Sequence, residues 1–197
     1  MTDWKIACSS GVSARNGLPM SLRSPLLIGV EATPILSSRL DALTEIDRLA
    51  GTTDRVRAVG ETGLDHYRTG EDGHSVQEES FRAHVEMARR HGKALVIHDR
   101  EAHSDVLRVL DDVPVPDRVV FHCFSGDADM ARYCSGRGWF VSFAGSVTFS
   151  NAGSLRQALA VMQQAAREAE SRLEAISDAA EQASEDLVEA QERVAEV

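Results

Sequence analysis

The chain has no run of about 18 apolar residues, so no membrane-spanning helix and no membrane partner are expected. Its first thirty residues hold Lys5, Arg15 and Arg23 but no continuous apolar stretch, which argues against a secretory signal. Cysteine is scarce. Cys8, Cys123 and Cys134 are odd in number and not closely paired, so a disulfide framework is not expected and a reducing, cytoplasmic compartment fits. Basic charge is also short: 21 Lys and Arg stand against 31 Asp and Glu, a net charge of −10. That argues against broad, sequence-independent nucleic-acid binding through a basic surface, though not against an enzyme that meets phosphate through a metal. The deficit is uneven, because residues 159–197 carry ten acidic side chains and three arginines. No glycine or proline follows Gly153, no histidine precedes His66, and no two histidines are separated by one residue.

What is present reads as a soluble globular chain of 197 residues, 43% hydrophobic and 26% charged, enough for one domain with an appendage. Residues 1–25 are irregular, with a doubtful strand at Trp4–Cys8. Residues 26–154 form the core. Short apolar runs at 26–30, 56–60, 94–97, 119–121 and 139–143 predict strands. Helical periodicity lies between them: a helix capped by Ser37 or Ser38, one from Gln77 to His91, one capped by Ser104, and one opened by Asp127 or Asp129. Alternation of this kind predicts an α/β fold with a parallel sheet, and continuous apolar runs predict cover on both of its faces. His84 and His91 are expected on the surface of their helix.

Three metal-competent side chains stand at equivalent places in successive units. Glu61 follows the run ending at Gly60, His98 the run ending at Ile97, and His122 the run ending at Phe121. The C-terminal ends of parallel strands share one rim, where active sites collect. Two histidines and one carboxylate suffice to hold a hydrolytic metal that keeps a water position. Asp65 and Asp99 lie near the same rim, and Asp65 is the candidate general base. A lone histidine after a strand is more often a loop or core residue, so the joint placement of the three matters more than any one of them.

The wording around these residues is more specific. Val59-Gly60-Glu61-Thr62-Gly63-Leu64-Asp65-His66-Tyr67 is followed by Gln77 and Phe81, then by Val96-Ile97-His98-Asp99-Arg100-Glu101-Ala102. His122-Cys123-Phe124-Ser125-Gly126 comes next, then Val141–Phe149 with Asn151-Ala152 and Leu155-Arg156. In this order and spacing the motifs resemble the TatD-like metal-dependent deoxyribonucleases, over about residues 26–156. The resemblance implies a TIM-barrel fold and hydrolysis of DNA phosphodiesters with a divalent metal such as Mg, Mn or Zn. It also places Glu61, His98 and His122 on metal-ligand positions. Two family features are missing: the opening His-x-His pair and the late acidic segment whose aspartate serves the metal. Glu31-Ala32-Thr33-Pro34 stands where the family has His-Pro after the first strand.

Five strands, or six with Trp4–Cys8, fall short of the eight in a closed barrel of about 250 residues, so a partial TIM-barrel-like repeat is expected. Residues 155–197 carry apolar or alanine residues at alternating four and three spacing from Leu155 to Val197. That heptad seam predicts one long acidic helix, either docked on its own domain or paired weakly as a homo-oligomer through a coiled coil. Two further readings stand beside the nuclease: a non-catalytic scaffold or oligomerisation protein derived from the family, and a metal hydrolase of another small substrate.

Overall fold

The computed structural model describes residues 26–28 and 40–195. The expected strand at Trp4–Cys8, the caps at Ser37 and Ser38, and Glu31–Pro34 lie outside these residues. The elements are β1 (Leu26–Ile28), α1 (Leu40–Thr52), β2 (Val56–Asp65), α2 (Glu71–Arg90), β3 (Ala94–Arg100), α3 (His103–Asp112), β4 (Val119–Phe121), α4 (Ala128–Gly136), β5 (Phe140–Val141) and α5 (Gly153–Ala195), with a 3-10 turn at Gly145–Thr148 before α5. The five strands are parallel and lie in the order β1-β2-β3-β4-β5. Consecutive strands are therefore neighbours throughout. A doubly wound sheet would reverse its order at a switch point, whereas this order is an arc of a (β/α) barrel. β1 and β5 end the sheet among the described residues, so the arc is open.

The core lies between the strands and the helices outside them. Leu95 and Ile97 of β3 pack with Phe81, Val85 and Ala88 of α2 and with Val106, Val109 and Leu110 of α3, all buried. Each large side chain there contributes roughly 1.5–3 kcal/mol. Cover on the two sheet faces is unequal. Burial alternates along β3 between buried and half-buried, with Val96 and His98 on the less covered side. The expected cover on both faces is thus only partial, because an arc of strands cannot shield its own concave face as a closed barrel does.

Several boundaries differ from the sequence reading. β2 runs to Asp65, not Gly60, and α2 begins at Glu71, not Gln77. The polar Glu61–Asp65 segment hides a strand whose pairing continues from Thr62 opposite Ile97 to Asp65 opposite Arg100. The first turn of α2 holds Glu71 and Asp72, which suit its dipole, but its Gly73, His74 and Ser75 carry no apolar periodicity. α3 starts at His103 with Ala102 before it, so Ser104 sits inside the first turn instead of capping it. Asp127 caps α4, its side chain accepting from the Asp129 and Met130 amides. β5 is only Phe140–Val141; it starts after Trp139, whose amide donates to the Cys134 carbonyl in the last turn of α4. Both described cysteines, Cys123 and Cys134, are free.

His84 is a further correction: it is fully buried in α2, not on the surface. Its Nδ1–H donates to the Ser80 carbonyl at 2.7 Å, and burial holds its pKa below the ordinary 6.5. The unfolded chain therefore binds a proton more readily, so the neutral imidazole's contribution is full above pH 6.5 and declines as pH falls towards the folded value. We expect urea midpoints to drop between pH 7 and pH 5, and to drop less in His84→Gln. An equal drop in both proteins would remove His84 as the cause.

The tail is one helix of 43 residues, as the unbroken heptads predict. Ala158 is buried and Leu155, Val161 and Met162 pack against the core, chiefly beside α4. Nearly every described side chain beyond residue 162 is exposed. At 1.5 Å per residue the helix is about 65 Å long, so only its first turns find a surface of their own chain. Among the described residues no helix is long and apolar enough to cross a membrane.

Candidate metal centre

β2, β3 and β4 deliver Glu61, His98 and His122 to one place. The Glu61 Oε1 atom lies 2.8 Å from His122 Nδ1 and 3.5 Å from His98 Nδ1. Glu61 and His98 stand inside the C-terminal halves of their strands, while His122 follows β4 directly, its amide donating to the Ile97 carbonyl at 2.8 Å. All three are partly open to solvent, with side-chain exposures of 29%, 32% and 47%.

Two glycines shape this corner. The β2–β3 register shifts between Val59 and Thr62, which sets Glu61 in a bulge. Gly60 and Gly63 flank it at φ +144° and +141°. A Cβ on Gly60 would meet the Val96 carbonyl oxygen at 2.3 Å, and one on Gly63 the His98 carbonyl oxygen at 2.1 Å. The β3 backbone therefore approaches closely only because side chains are absent.

Asp65 acts on the same group from below. It is buried; its Oδ2 accepts from His98 Nε2 at 3.0 Å and its Oδ1 from the Arg68 amide at 2.9 Å. With Nε2 protonated for Asp65, His98 turns Nδ1 towards Glu61, the arrangement by which a carboxylate fixes a ligand imidazole. Asp65 is itself held in place: Gln77, buried at the start of the apolar face of α2, accepts from the Asp65 amide at 3.2 Å and donates to Thr69 Oγ1 at 2.7 Å. Asp99 points away from the trio and binds His103 Nδ1 at 2.7 Å.

The charges are coupled. Burial pushes the Glu61 carboxyl up, but hydrogen bonds from His98 and His122 outweigh it and hold the group below the ordinary carboxylate value. The hydrogen bond to Glu61, helped by Asp65 and opposed by burial, raises His98. Beside them, Cys123 sits at φ +50° with its amide donating to Ser142 Oγ at 3.0 Å and its Sγ 3.5 Å from His122 Nε2. Burial and the Glu61 charge push its thiol up, which disfavours the thiolate that a nucleophile or ligand needs.

The donor set fits a divalent ion by its chemistry. Nitrogen and oxygen ligands at about 2.0–2.1 Å in tetrahedral array stand about 3.3 Å apart, and the two Glu61–imidazole distances bracket that value. The contacts themselves are hydrogen bonds, and among the described residues no three His, Cys, Asp or Glu side chains stand spread as a ready metal cage. The sequence reading placed Asp65 near the rim as a candidate base but missed its hydrogen bond to His98, and it missed the supporting roles of Gln77 and Ser142. All three lie within the quoted motifs, but a hydrogen bond between distant strands leaves no periodic signal.

Known proteins share part of this sequence and fold. The family model described as TatD related DNase matches residues 23–171. The chain is 46% identical over 140 residues to an uncharacterized metal-dependent hydrolase, TatD, of Mycobacterium tuberculosis, covering 66% of this chain and 53% of that protein. It is 36% identical over 149 residues to YcfH, an uncharacterized metal-dependent hydrolase of Escherichia coli K12, covering 72% and 56%. The chain thus spans about half the length of the curated relatives it matches. Among solved structures it is similar to YJJV, a TatD homologue of Escherichia coli K12, with a TM-score of 0.58 and 24% identity over 67% of this chain and 52% of that one, a likeness of fold.

Proposed function

Since the chain belongs to the TatD related DNase family, we propose that its core is a metal-dependent hydrolase that cuts DNA phosphodiester bonds, with Glu61, His98 and His122 holding one divalent ion, Mg, Mn or Zn. The observation that carries this reading is the single Glu61 oxygen in reach of both imidazole Nδ1 atoms. When bound, the ion would supply a water of lowered pKa and polarise a phosphoryl oxygen. Glu61 offers the anionic donor, His98 and His122 the neutral ones, and Asp65 orients His98 and absorbs part of its charge. Both Asp65 oxygens are already engaged, which favours orientation over proton abstraction. Residues 26–154 would be the hydrolytic core and 155–197 a segment for association.

With three candidate ligands, weak binding of one ion is expected. Metal content after dialysis, followed by titration with Mn²⁺ or Zn²⁺ and an assay on a labelled oligodeoxynucleotide, tests the reading. Tight retention of two ions with rapid cutting would contradict the three-ligand site. Binding without cutting DNA would favour another substrate, and no binding at all would favour the scaffold reading. Asp65→Asn should weaken metal affinity by about 10–100-fold, because it removes the carboxylate that fixes the ligand's tautomer. Calorimetric titration of both proteins, with circular dichroism to check folding, measures this.

A further inference from the structure

The exposed part of α5 repeats the heptad but not one residue size. Leu173 and Ile176 are 67% and 66% exposed and Leu187 is 58% exposed, so the seam has no partner within the described chain. Large and small layers alternate along it: Leu173 and Ile176 lie between the pairs Ala166, Ala169 and Ala180, Ala183. In a parallel pair each residue faces itself, which stacks leucine on leucine in one layer and alanine on alanine in the next. The thin layers then leave gaps. Turning the second helix end over end about the level of Asp178 sets Leu173 opposite Ala183, Ile176 opposite Ala180, and Ala169 opposite Leu187. Each of those three layers then joins one large and one small side chain; Ala166 opposite Ala190 is the one thin layer, and Met162, which also packs against its own core, stands opposite Val194 at the ends.

The flanking charges agree with the same register. The antiparallel turn brings Arg172 of each copy beside Asp186 of the other, twice by symmetry. Gln163 then faces Gln191, and Ser177 faces its own counterpart, so no like charges oppose across the seam at these positions. The acidic residues Glu168, Glu174, Asp178, Glu181, Glu185 and Glu189 lie off the seam. In a parallel pair Arg172 would instead face Ser177, and Asp186 would face Gln191. Arg172 makes no ion pair among the described residues.

We propose that α5 is the dimer interface of this protein and that a second copy of the chain pairs with it antiparallel, centred near Asp178. The overlap from residue 162 to 194 spans about 48 Å at 1.5 Å per residue. Each core sits at its own end, because α5 touches the core only as far as Met162. The candidate metal centres are therefore held apart, and neither takes a residue from the other copy.

Sedimentation of the full chain at high micromolar concentration and physiological salt tests this. A dimer is expected for the wild type and a monomer for the double variant Leu173→Asp, Ile176→Asp, whose substituted positions are exposed and outside the folded core. Arg172→Asp and Asp186→Arg should each weaken dimerisation by roughly tenfold, since each turns two attractions into repulsions, and the two together should restore it. Oxidation of the variant Leu173→Cys, Ala183→Cys should link the peptide carrying residue 173 to that carrying residue 183. A monomeric wild type, a double charge swap no better than either single one, or linkage of 173 to 173 would overturn the proposal.

Discussion

Glu61→Ala is expected to remove metal binding and lower hydrolysis by more than about 100-fold, with the fold retained. Disturbing only the neighbours that orient a ligand costs about 10–100-fold, and Glu61 is the anionic donor shared by both imidazoles. Titration calorimetry with Mn²⁺ or Zn²⁺ and the oligodeoxynucleotide assay measure the two losses; unchanged affinity would take Glu61 out of the site. The metal-free protein should respond as well. The Glu61 pKa is lowered from 4.5, so its contribution is present above 4.5 and is lost as pH falls through the folded value. The His98 pKa is raised from 6.5, so its contribution is present below 6.5 and is lost as pH rises through its folded value. The stability gap between wild type and Glu61→Ala should therefore be widest between pH 4.5 and 6.5 and shrink towards the folded value on either side. A gap that does not vary with pH would mean that the contacts are not ionic.

Gly63→Ala is expected to be the most damaging small substitution. The added Cβ would stand 2.1 Å from the His98 carbonyl oxygen, a backbone atom that β2–β3 pairing holds in place. A non-glycine residue at φ +141° adds strain of about 1–3 kcal/mol, and overpacking costs about 1–3 kcal/mol more. Against a total stability of about 5–15 kcal/mol, a loss near 4 kcal/mol would remove a quarter to most of the margin, or displace β2 and move Glu61 and His98 apart. Gly92→Ala is the control. Its φ is +62°, but a Cβ there meets nothing within 4 Å, so the cost should stay near 1 kcal/mol. Urea midpoints for the three proteins measure the difference, and similar midpoints for the two variants would mean that the close approach does not matter.

The strands and helices that bury apolar runs were legible in the sequence, because burial imposes a period that survives in one dimension. Phe81 and Val85 mark α2, Leu95 and Ile97 mark β3, and the seam from Leu155 marks α5. The motifs likewise pointed to Glu61, His98 and His122 as a set. The C-terminal half of β2 was not legible, because Glu61–Asp65 is polar and held by pairing to β3 and by two glycines whose value lies in a neighbour's backbone. The burial of His84 was not legible either: one polar residue on a helix has no period of its own, and only the packing around it decides whether water is excluded.

What the sequence determined by itself is local or periodic: the α/β alternation, the helical tail and the identity of the three ligand candidates. The tertiary structure alone decided how those parts meet. It set Glu61 in a bulge between two close-packed glycines, turned His98 with the Asp65 carboxylate, and left α5 without cover beyond its first turns. Each of these outcomes depends on groups far apart in the chain coming within a few ångströms. Contacts of that kind are set by how strands register and helices pack, which no single stretch of residues encodes.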